Sequence, residues 1–247
     1  MERFTLFFSG LLAILIWMSS PSVKASLTVG QSDTPFPFSE YEARYTINWH
    51  GLYAGASTHK LHKRENGQYH FETRTEPHLH FLPFHYVESS DFSWIDGKIL
   101  PDNYYYNIQE GKRHKEGSVL FDRQTQKIKQ NRVSHQTLEA ELIDGLQDKL
   151  TQTFSLRQAL KNGDRSFTYP VAENDKIKEY TFKIVGEEKI QTKLGRLKVI
   201  KVEHLSRKGH RTVTWLAPQY DYLPVKMTQY RNGKQVAGGE ILSFTQA

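Results

Sequence analysis

The sequence predicts a mainly β protein: a strongly curved antiparallel sheet or open β-barrel with one packed amphipathic helix. Short segments alternate apolar and polar residues with period two, which is typical of half-buried strands. Asn-Gly and Asp-Gly pairs, which favour tight hairpin turns, separate several of these segments. Only the segment between Leu146 and Leu160 has helical spacing. This pattern favours antiparallel strands over βαβ units.

Residues 1–25 have the three parts of a secretory signal peptide. Arg3 precedes an apolar run from Phe4 to Met18, and Val23 and Ala25 supply the small residues of a cleavage site. The run is about fifteen residues, shorter than the roughly 20 of a membrane-spanning helix. We expect cleavage after Ala25 and a periplasmic protein, with secretion as the second choice. An uncleaved N-terminal anchor is the alternative.

Residues 26–39, which include Pro35 and Pro37, are predicted to form a flexible leader. A single β-rich domain is expected over 40–247. Its first strand is the clearest, because Tyr41, Tyr45 and Trp49 alternate with polar residues. Further strands are predicted before the helix at 56–63, 69–75, 86–95, 103–109, 118–122 and 127–133.

The helix is predicted from Leu146, Leu150 and Phe154, which are spaced four apart. Asp148 is a plausible N-cap or first-turn acid, and Asn162-Gly163 is a plausible C-terminal stop. Strands are predicted after the helix at 166–169, 178–185, 189–192, 197–205, 211–216, 223–231 and 236–244. Glu187 and Glu188, after Gly186, are interpreted as a solvated turn.

The composition excludes several kinds of site. The chain has no Cys, which excludes disulfides, thiolate zinc sites, a catalytic Cys and a lipidated N-terminal Cys. Gly-x-Ser-x-Gly and His-Glu-x-x-His motifs are absent from the sequence. We therefore identify no catalytic residues and no cofactor, and we expect a protein that is not an enzyme. Aromatic residues make up 13% of the chain, which argues against disorder.

Histidines are concentrated in the first half of the chain. His78, His80 and His85 are weak candidates for a zinc or copper site. Surface positions or stacking on aromatic rings account for the same residues. A metal-binding or hydrolytic protein that uses this half remains an alternative.

Basic residues cluster between Lys193 and Arg211. For an exported protein they suggest an anionic envelope surface as partner rather than nucleic acid. The outward face of an antiparallel sheet is normally charged, which explains the same cluster without a partner. No apolar run in the mature chain is long enough to span a membrane.

Aromatic residues crowd the predicted strands, and they either form the core or line a cavity for an apolar ligand. Under the second interpretation the ligand-lining residues are Tyr45, Trp49, Trp94, Tyr106 and Trp215.

Four stretches of the chain resemble a known family. They are 45–55 (YTINWHGLYAG), 185–197 with its Leu194-Gly195-Arg196 turn, Thr214 to Pro218 (TWLAP) and Tyr222 to Lys226 (YLPVK). Together they resemble domain of unknown function family 3108, whose members are exported bacterial proteins. The resemblance runs from about Glu40 to Phe244, although the family usually has Pro where this chain has Lys149. It implies location and fold, supplies no catalytic residues, and suggests the curved sheet with a helix on one side that periplasmic lipoprotein carriers have.

The sequence thus predicts a periplasmic, non-enzymatic binding or carrier protein for an apolar or amphipathic ligand, with lipid among the candidates. An envelope scaffold or assembly factor that binds a protein or a polyanion is the second hypothesis.

Overall fold

The computed structural model describes residues 34–78, 84–133, 137–173, 176–207 and 209–247. The predicted signal peptide and residues 26–33 of the predicted leader lie outside them. The described chain forms fourteen strands and one α-helix. The strands are β1 (Tyr41–Trp49), β2 (Leu52–Lys63), β3 (Tyr69–Pro77), β4 (Phe84–Ile95), β5 (Lys98–Glu110), β6 (Arg113–Asp122), β7 (Lys127–Arg132), β8 (Leu138–Glu141), β9 (Phe167–Glu173), β10 (Lys176–Thr192), β11 (Gly195–Arg207), β12 (His210–Ala217), β13 (Leu223–Arg231) and β14 (Lys234–Gln246). The helix, α1, spans Thr151–Lys161, and a 3-10 turn spans Pro218–Tyr220.

All fourteen strands belong to one antiparallel sheet in the order β8-β7-β6-β5-β4-β3-β2-β1-β14-β13-β12-β11-β10-β9. The first eight strands run outward from the middle of the sheet to one edge. The chain then passes through α1 to the other edge and returns to the middle. There β14 pairs with the whole length of β1. The sheet is not closed, since β8 and β9 are its two edge strands. The mainly β, antiparallel fold expected from the sequence is confirmed.

Tight turns join the strands where the sequence predicts them. Asp96 and Gly97 both have positive φ, and so do Asn232 and Gly233. Two such residues in a row form the turn whose twist matches that of a two-stranded hairpin. His50 and Gly51 form a turn of the same kind between β1 and β2.

One hydrophobic core joins the two halves of the sheet. It contains Ile128 of β7, near one edge, together with Val199 of β11, near the other edge. Strands so far apart in a sheet share a core only when the sheet curves around it. The predicted strong curvature is therefore confirmed.

Helix α1 packs between these two halves. Phe154 is fully buried, and its ring centre lies 4.9 Å from that of Phe71 and 5.5 Å from that of Phe92. Leu156 and Leu160 pack on the other half, against a cluster that includes Leu216. The helix ends at Asn162-Gly163 as predicted, but it begins at Thr151 rather than near Leu146.

The segment before β1 differs from the expected flexible leader. Phe38 is buried, and the Phe36 ring centre lies 4.1 Å from that of Tyr69. Arg157 of α1 stacks on Phe38, with 4.3 Å between the guanidinium carbon and the ring centre. Residues 34–39 are therefore attached to the core by these two Phe side chains. Removing apolar side chains from water lowers the free energy, which stabilises the attachment.

A second difference concerns β10, which the sequence splits into two strands around a turn at Gly186. The structure has one strand from Lys176 to Thr192 with a β-bulge between Ile184 and Gly186. The bulge absorbs the extra residue, so Glu187 and Glu188 stay paired with β11 and do not form a turn. No helix among the described residues is long and apolar enough to cross a membrane.

Candidate functional site

An apolar cavity of about 360 Å³ lies at the end of the sheet where β1 and β5 end and β2 and β4 begin. Its apolar wall comes from four strands and consists of Ile47, Trp49, Ala54, Phe84, Tyr86 and Ala237. Asn48, Glu110 and Gly111 complete the lining.

Small residues make room for this cavity. Trp49 pairs with Ala237, and Ile47 pairs with Gly239, so the large side chains of β1 face small residues on β14. Gly239 is fixed by close packing, since a Cβ there would lie 2.6 Å from the Thr46 carbonyl oxygen. Alternation of large and small residues across neighbouring strands leaves unfilled space beside the aromatic rings.

Backbone irregularities add to that space. The pairing of β1 with β2 shifts between Ile47 and Asn48, so Ala54 is the extra residue on β2. At Gly55 the two strands β2 and β3 come so close that a Cβ would lie 2.1 Å from the Glu76 carbonyl oxygen. Glycine is thus required there, and the bulge at Ala54 bends β2 beside the cavity.

Trp49 stands at the solvent side of the cavity. Its side chain is 55% exposed, although Trp is normally well buried in a β-rich core. Leu52 and Tyr53, which follow the His50-Gly51 turn, are 73% and 46% exposed. The hairpin between β1 and β2, which carries Trp49 of the cavity wall, therefore exposes three large apolar side chains to solvent.

One polar pair lies in the apolar wall. The Tyr86 hydroxyl donates a hydrogen bond to Glu110 Oε1 at 2.8 Å. Burial, followed by this hydrogen bond, raises the pKa of Tyr86 well above its usual value. The phenol therefore stays protonated and remains a donor to the carboxylate at neutral pH.

A second polar cluster lies further along β4. Glu88 accepts hydrogen bonds from the Tyr104 hydroxyl and, at 2.8 Å, from the Lys149 ammonium. Burial, with the charge of Glu88 next, raises the pKa of Tyr104, so this phenol is not activated as a nucleophile. His59 lies 4.5 Å from Tyr45 between ring centres, and burial lowers its pKa to about 4. The imidazole of His59 is therefore neutral, the phenol of Tyr104 is protonated, and the carboxylate of Glu88 is paired with Lys149. Groups in these states serve packing and hydrogen bonding rather than catalysis.

Asp148 also belongs to the interior rather than to a reactive site. Its Oδ1 accepts hydrogen bonds from the backbone of Leu150 and Thr151, and its Oδ2 accepts one from Ser90 at 2.6 Å. The Thr151 hydroxyl in turn accepts one from the Asp148 backbone N–H. These reciprocal bonds hold the turn that leads into α1, but Asp148 is not the predicted N-cap or first-turn acid, since the N-cap position is Leu150 and the first turn has no acidic residue.

A larger cavity of about 380 Å³ lies between α1 and β9. Two glutamine side chains on its wall have hydrogen-bond partners within the protein. Gln147 donates to the Ile99 carbonyl, and Gln158 donates to the Gly97 carbonyl at 2.8 Å. The space is therefore a polar seam between helix and sheet.

The histidine candidates do not form a cluster in the described chain. The His78 ring stacks near Tyr53 with 4.9 Å between ring centres, and His85 is half-buried on β4. His80 lies outside the described residues. Among those described, no group of three or more His, Asp or Glu residues could hold a metal ion.

Of the five predicted ligand-lining residues, Trp49 alone lines the apolar cavity. Tyr45 and Tyr106 are buried in the core. Trp94 donates from Nε1 to the Thr34 carbonyl at 2.8 Å, beneath the segment before β1. Trp215 is buried on β12, where Nε1 donates to Glu188 at 2.6 Å, and it lines a separate cavity of about 240 Å³.

The sequence did not predict that Tyr86 and Glu110 lie close enough to form a hydrogen-bonded pair. In the structure Tyr86 is paired with Ile108, two residues before Glu110. Both lie in segments that the sequence identifies as strands or turns, but their proximity depends on the register between β4 and β5. Ala54 and Ala237 carry no signal in the sequence, because a small residue is informative only once its neighbours are known.

The comparisons with known proteins find a similar fold and a family but no activity. A β-barrel-like protein of domain of unknown function DUF1849 from Brucella abortus matches with a TM-score of 0.56 and 10% identity, over 85% of this chain and 98% of that chain. A DUF1329 family protein from Desulfovibrio piger matches with a TM-score of only 0.24 and 11% identity, over 87% of each chain. No curated protein matches in sequence. The family model described as protein of unknown function DUF3108 matches residues 44–236, and the chain therefore belongs to that family.

Proposed function

We propose that the protein is a periplasmic binding or carrier protein, without catalytic activity, for an apolar or amphipathic ligand such as a lipid. The observation that carries the proposal is the apolar cavity of about 360 Å³ beside the exposed Trp49. Small-molecule sites are typically apolar cavities of about 300–1,000 Å³ with a few polar groups, and this one has that character.

The exposed side chains of the hairpin between β1 and β2 support the same function. Trp49, Leu52 and Tyr53 expose apolar surface to water. An apolar ligand that covered these side chains would remove this surface from water, which is favourable. A ligand that entered the cavity and lay against this hairpin would bury them. The β-barrel-like fold of the DUF1849 protein is consistent with a binding fold. The signal peptide predicted at residues 1–25 is the basis for the periplasmic location.

The test is native mass spectrometry of the protein purified from periplasm without detergent. We expect a reproducible adduct of lipid mass that organic extraction removes. Ala237→Leu, which places a larger side chain in the cavity wall, should abolish the adduct. Ala237→Ser keeps the side chain small and should retain it.

A bare protein mass in all samples, with no retention of an added lipid, would contradict the proposal. A stoichiometric envelope protein in place of the lipid would favour the assembly-factor hypothesis instead.

A further inference from the structure

The polar lining of the apolar cavity indicates the charge of its ligand. We propose that the ligand is an amphiphile with a compact cationic head, an ammonium or quaternary ammonium group, and that Glu110 and the surrounding aromatic rings bind this head. This inference rests on the proposed function, because it assigns a head group to the ligand of the same cavity.

Three aromatic residues line the cavity: Trp49, Phe84 and Tyr86. The centres of the Phe84 and Tyr86 rings are 6.1 Å apart, with an angle of 45° between the ring planes. Aromatic rings attract cations through the negative potential of their faces, and cages of such rings recognise quaternary ammonium groups. Trp provides the strongest of these contacts, and Trp49 is exposed enough to receive one.

Glu110 supplies the matching negative charge. One of its oxygens accepts the Tyr86 hydroxyl, and the carboxylate forms no ion pair with any Lys, Arg or His of the described chain. Some other carboxylates on the sheet are neutralised by a lysine, as Glu88 is by Lys149 and Glu240 is by Lys226. The carboxylate of Glu110 is therefore available to attract a cationic group beside the three aromatic rings.

The lining also disfavours an anionic head. Among the described residues that line the cavity there is no Lys, Arg or His to receive a carboxylate or phosphate. An anionic head would lie next to the Glu110 carboxylate and be repelled. The cavity therefore selects against the ligands that the net positive charge of the chain would otherwise attract.

The test compares three amphiphiles with the same dodecyl chain, each below its critical micelle concentration. They are dodecyltrimethylammonium, the uncharged octaethylene glycol dodecyl ether and dodecyl sulfate. Binding to the purified protein is measured by titration calorimetry and tryptophan fluorescence. We expect the cationic amphiphile to bind about tenfold more tightly than the uncharged one, as one cation–π contact and one charge pair would give, and dodecyl sulfate to bind most weakly.

Glu110→Gln keeps an acceptor for Tyr86 but removes the charge, and it should reduce the preference to less than about threefold, since the ring contacts alone remain. Its affinity for the uncharged amphiphile should not change. Glu141→Gln, at an exposed carboxylate on β8, is the matched control and should retain the full preference.

Equal binding of all three amphiphiles, or tightest binding of dodecyl sulfate, would overturn the cationic-head proposal and leave the carrier function intact. Retention of the full preference by Glu110→Gln would also overturn it. Absence of binding by every amphiphile would instead count against the proposed function itself.

Discussion

Asp148 is a fully buried carboxyl group, and its ionisation is expected to make stability depend on pH. Burial raises its pKa from 3.8 to about 6, although hydrogen bonds from Ser90 and the first turn of α1 oppose the shift. The folded state therefore favours the neutral acid. Its stabilising contribution is complete below the unfolded pKa and is lost as the pH rises through about 6. A shift of about two units corresponds to about 3 kcal/mol.

Asp148→Asn should remove this dependence, because the amide oxygen can still accept from the Leu150 and Thr151 backbones but cannot ionise. Relative to the wild type, the variant should gain about 3 kcal/mol in free energy of unfolding between pH 4 and pH 7. Urea unfolding at several pH values measures the difference. Subtraction of the two curves cancels His59, whose lowered pKa acts in the opposite direction in this window.

The control for this experiment is Asp144→Asn, since the Asp144 side chain is 96% exposed. Its curve should run parallel to that of the wild type. If the curve of Asp148→Asn were also parallel, the Asp148 carboxyl would not titrate as its burial requires.

At the scale of elements, α1 is held in place chiefly by Phe154. The ring contacts Phe38, Phe71 and Phe92 and is fully buried. Phe154→Ala should lower the free energy of unfolding by about 3–5 kcal/mol, which is the usual cost of removing a buried Phe. Guanidinium unfolding followed by circular dichroism measures this loss.

Thr153→Ala is the neighbouring control, because the Thr153 side chain is half-buried and, within the described chain, its hydroxyl accepts a hydrogen bond from the adjacent Gln152 side chain alone. It should cost less than about 1 kcal/mol. If Phe154→Ala fails to fold, Phe154→Leu keeps part of the contact and should give an intermediate loss. A loss below about 1 kcal/mol for both Phe154 variants would show that the helix is held by other contacts.

Local signals in the sequence account for the elements whose geometry is local. The turns at Asp96-Gly97 and Asn232-Gly233 need positive φ at both positions, and those residue types supply it. The helix is also predicted correctly, because its leucines and phenylalanine repeat every four residues. Its start is misplaced because Leu146 and Leu150, which precede Thr151, continue the same four-residue apolar spacing outside the helix.

Features that depend on long-range pairing could not be predicted. The bulge in β10 is set by its pairing with β11, so Gly186 resembles a turn in the sequence alone. In the same way, Trp49 was one of five equivalent aromatic candidates until the pairing with Ala237 showed where space remains. The candidate site is therefore a property of register, whereas most strands and turns are properties of local sequence.

At the scale of the whole molecule, the two halves of the sheet should unfold together. β14 pairs with β1 in the middle of the sheet, so hydrogen bonds continue from one half to the other. Helix α1 adds a second link, since Phe154 packs on Phe71 while Leu156 and Leu160 pack with Leu216. Neither half can expose its side of this shared core without disturbing the other.

Trp94 on β4 and Trp215 on β12 can report on the two halves separately. One variant retains Trp94 and the other retains Trp215. In each variant Phe replaces every other Trp. In each variant we expect the fluorescence and far-ultraviolet circular dichroism transitions in guanidinium to coincide, as a two-state process requires. Comparison within one variant removes the effect of the substitutions on overall stability. If the dichroism were biphasic, with Trp94 following one step and Trp215 the other, the halves would be separate folding units and α1 would only bridge them.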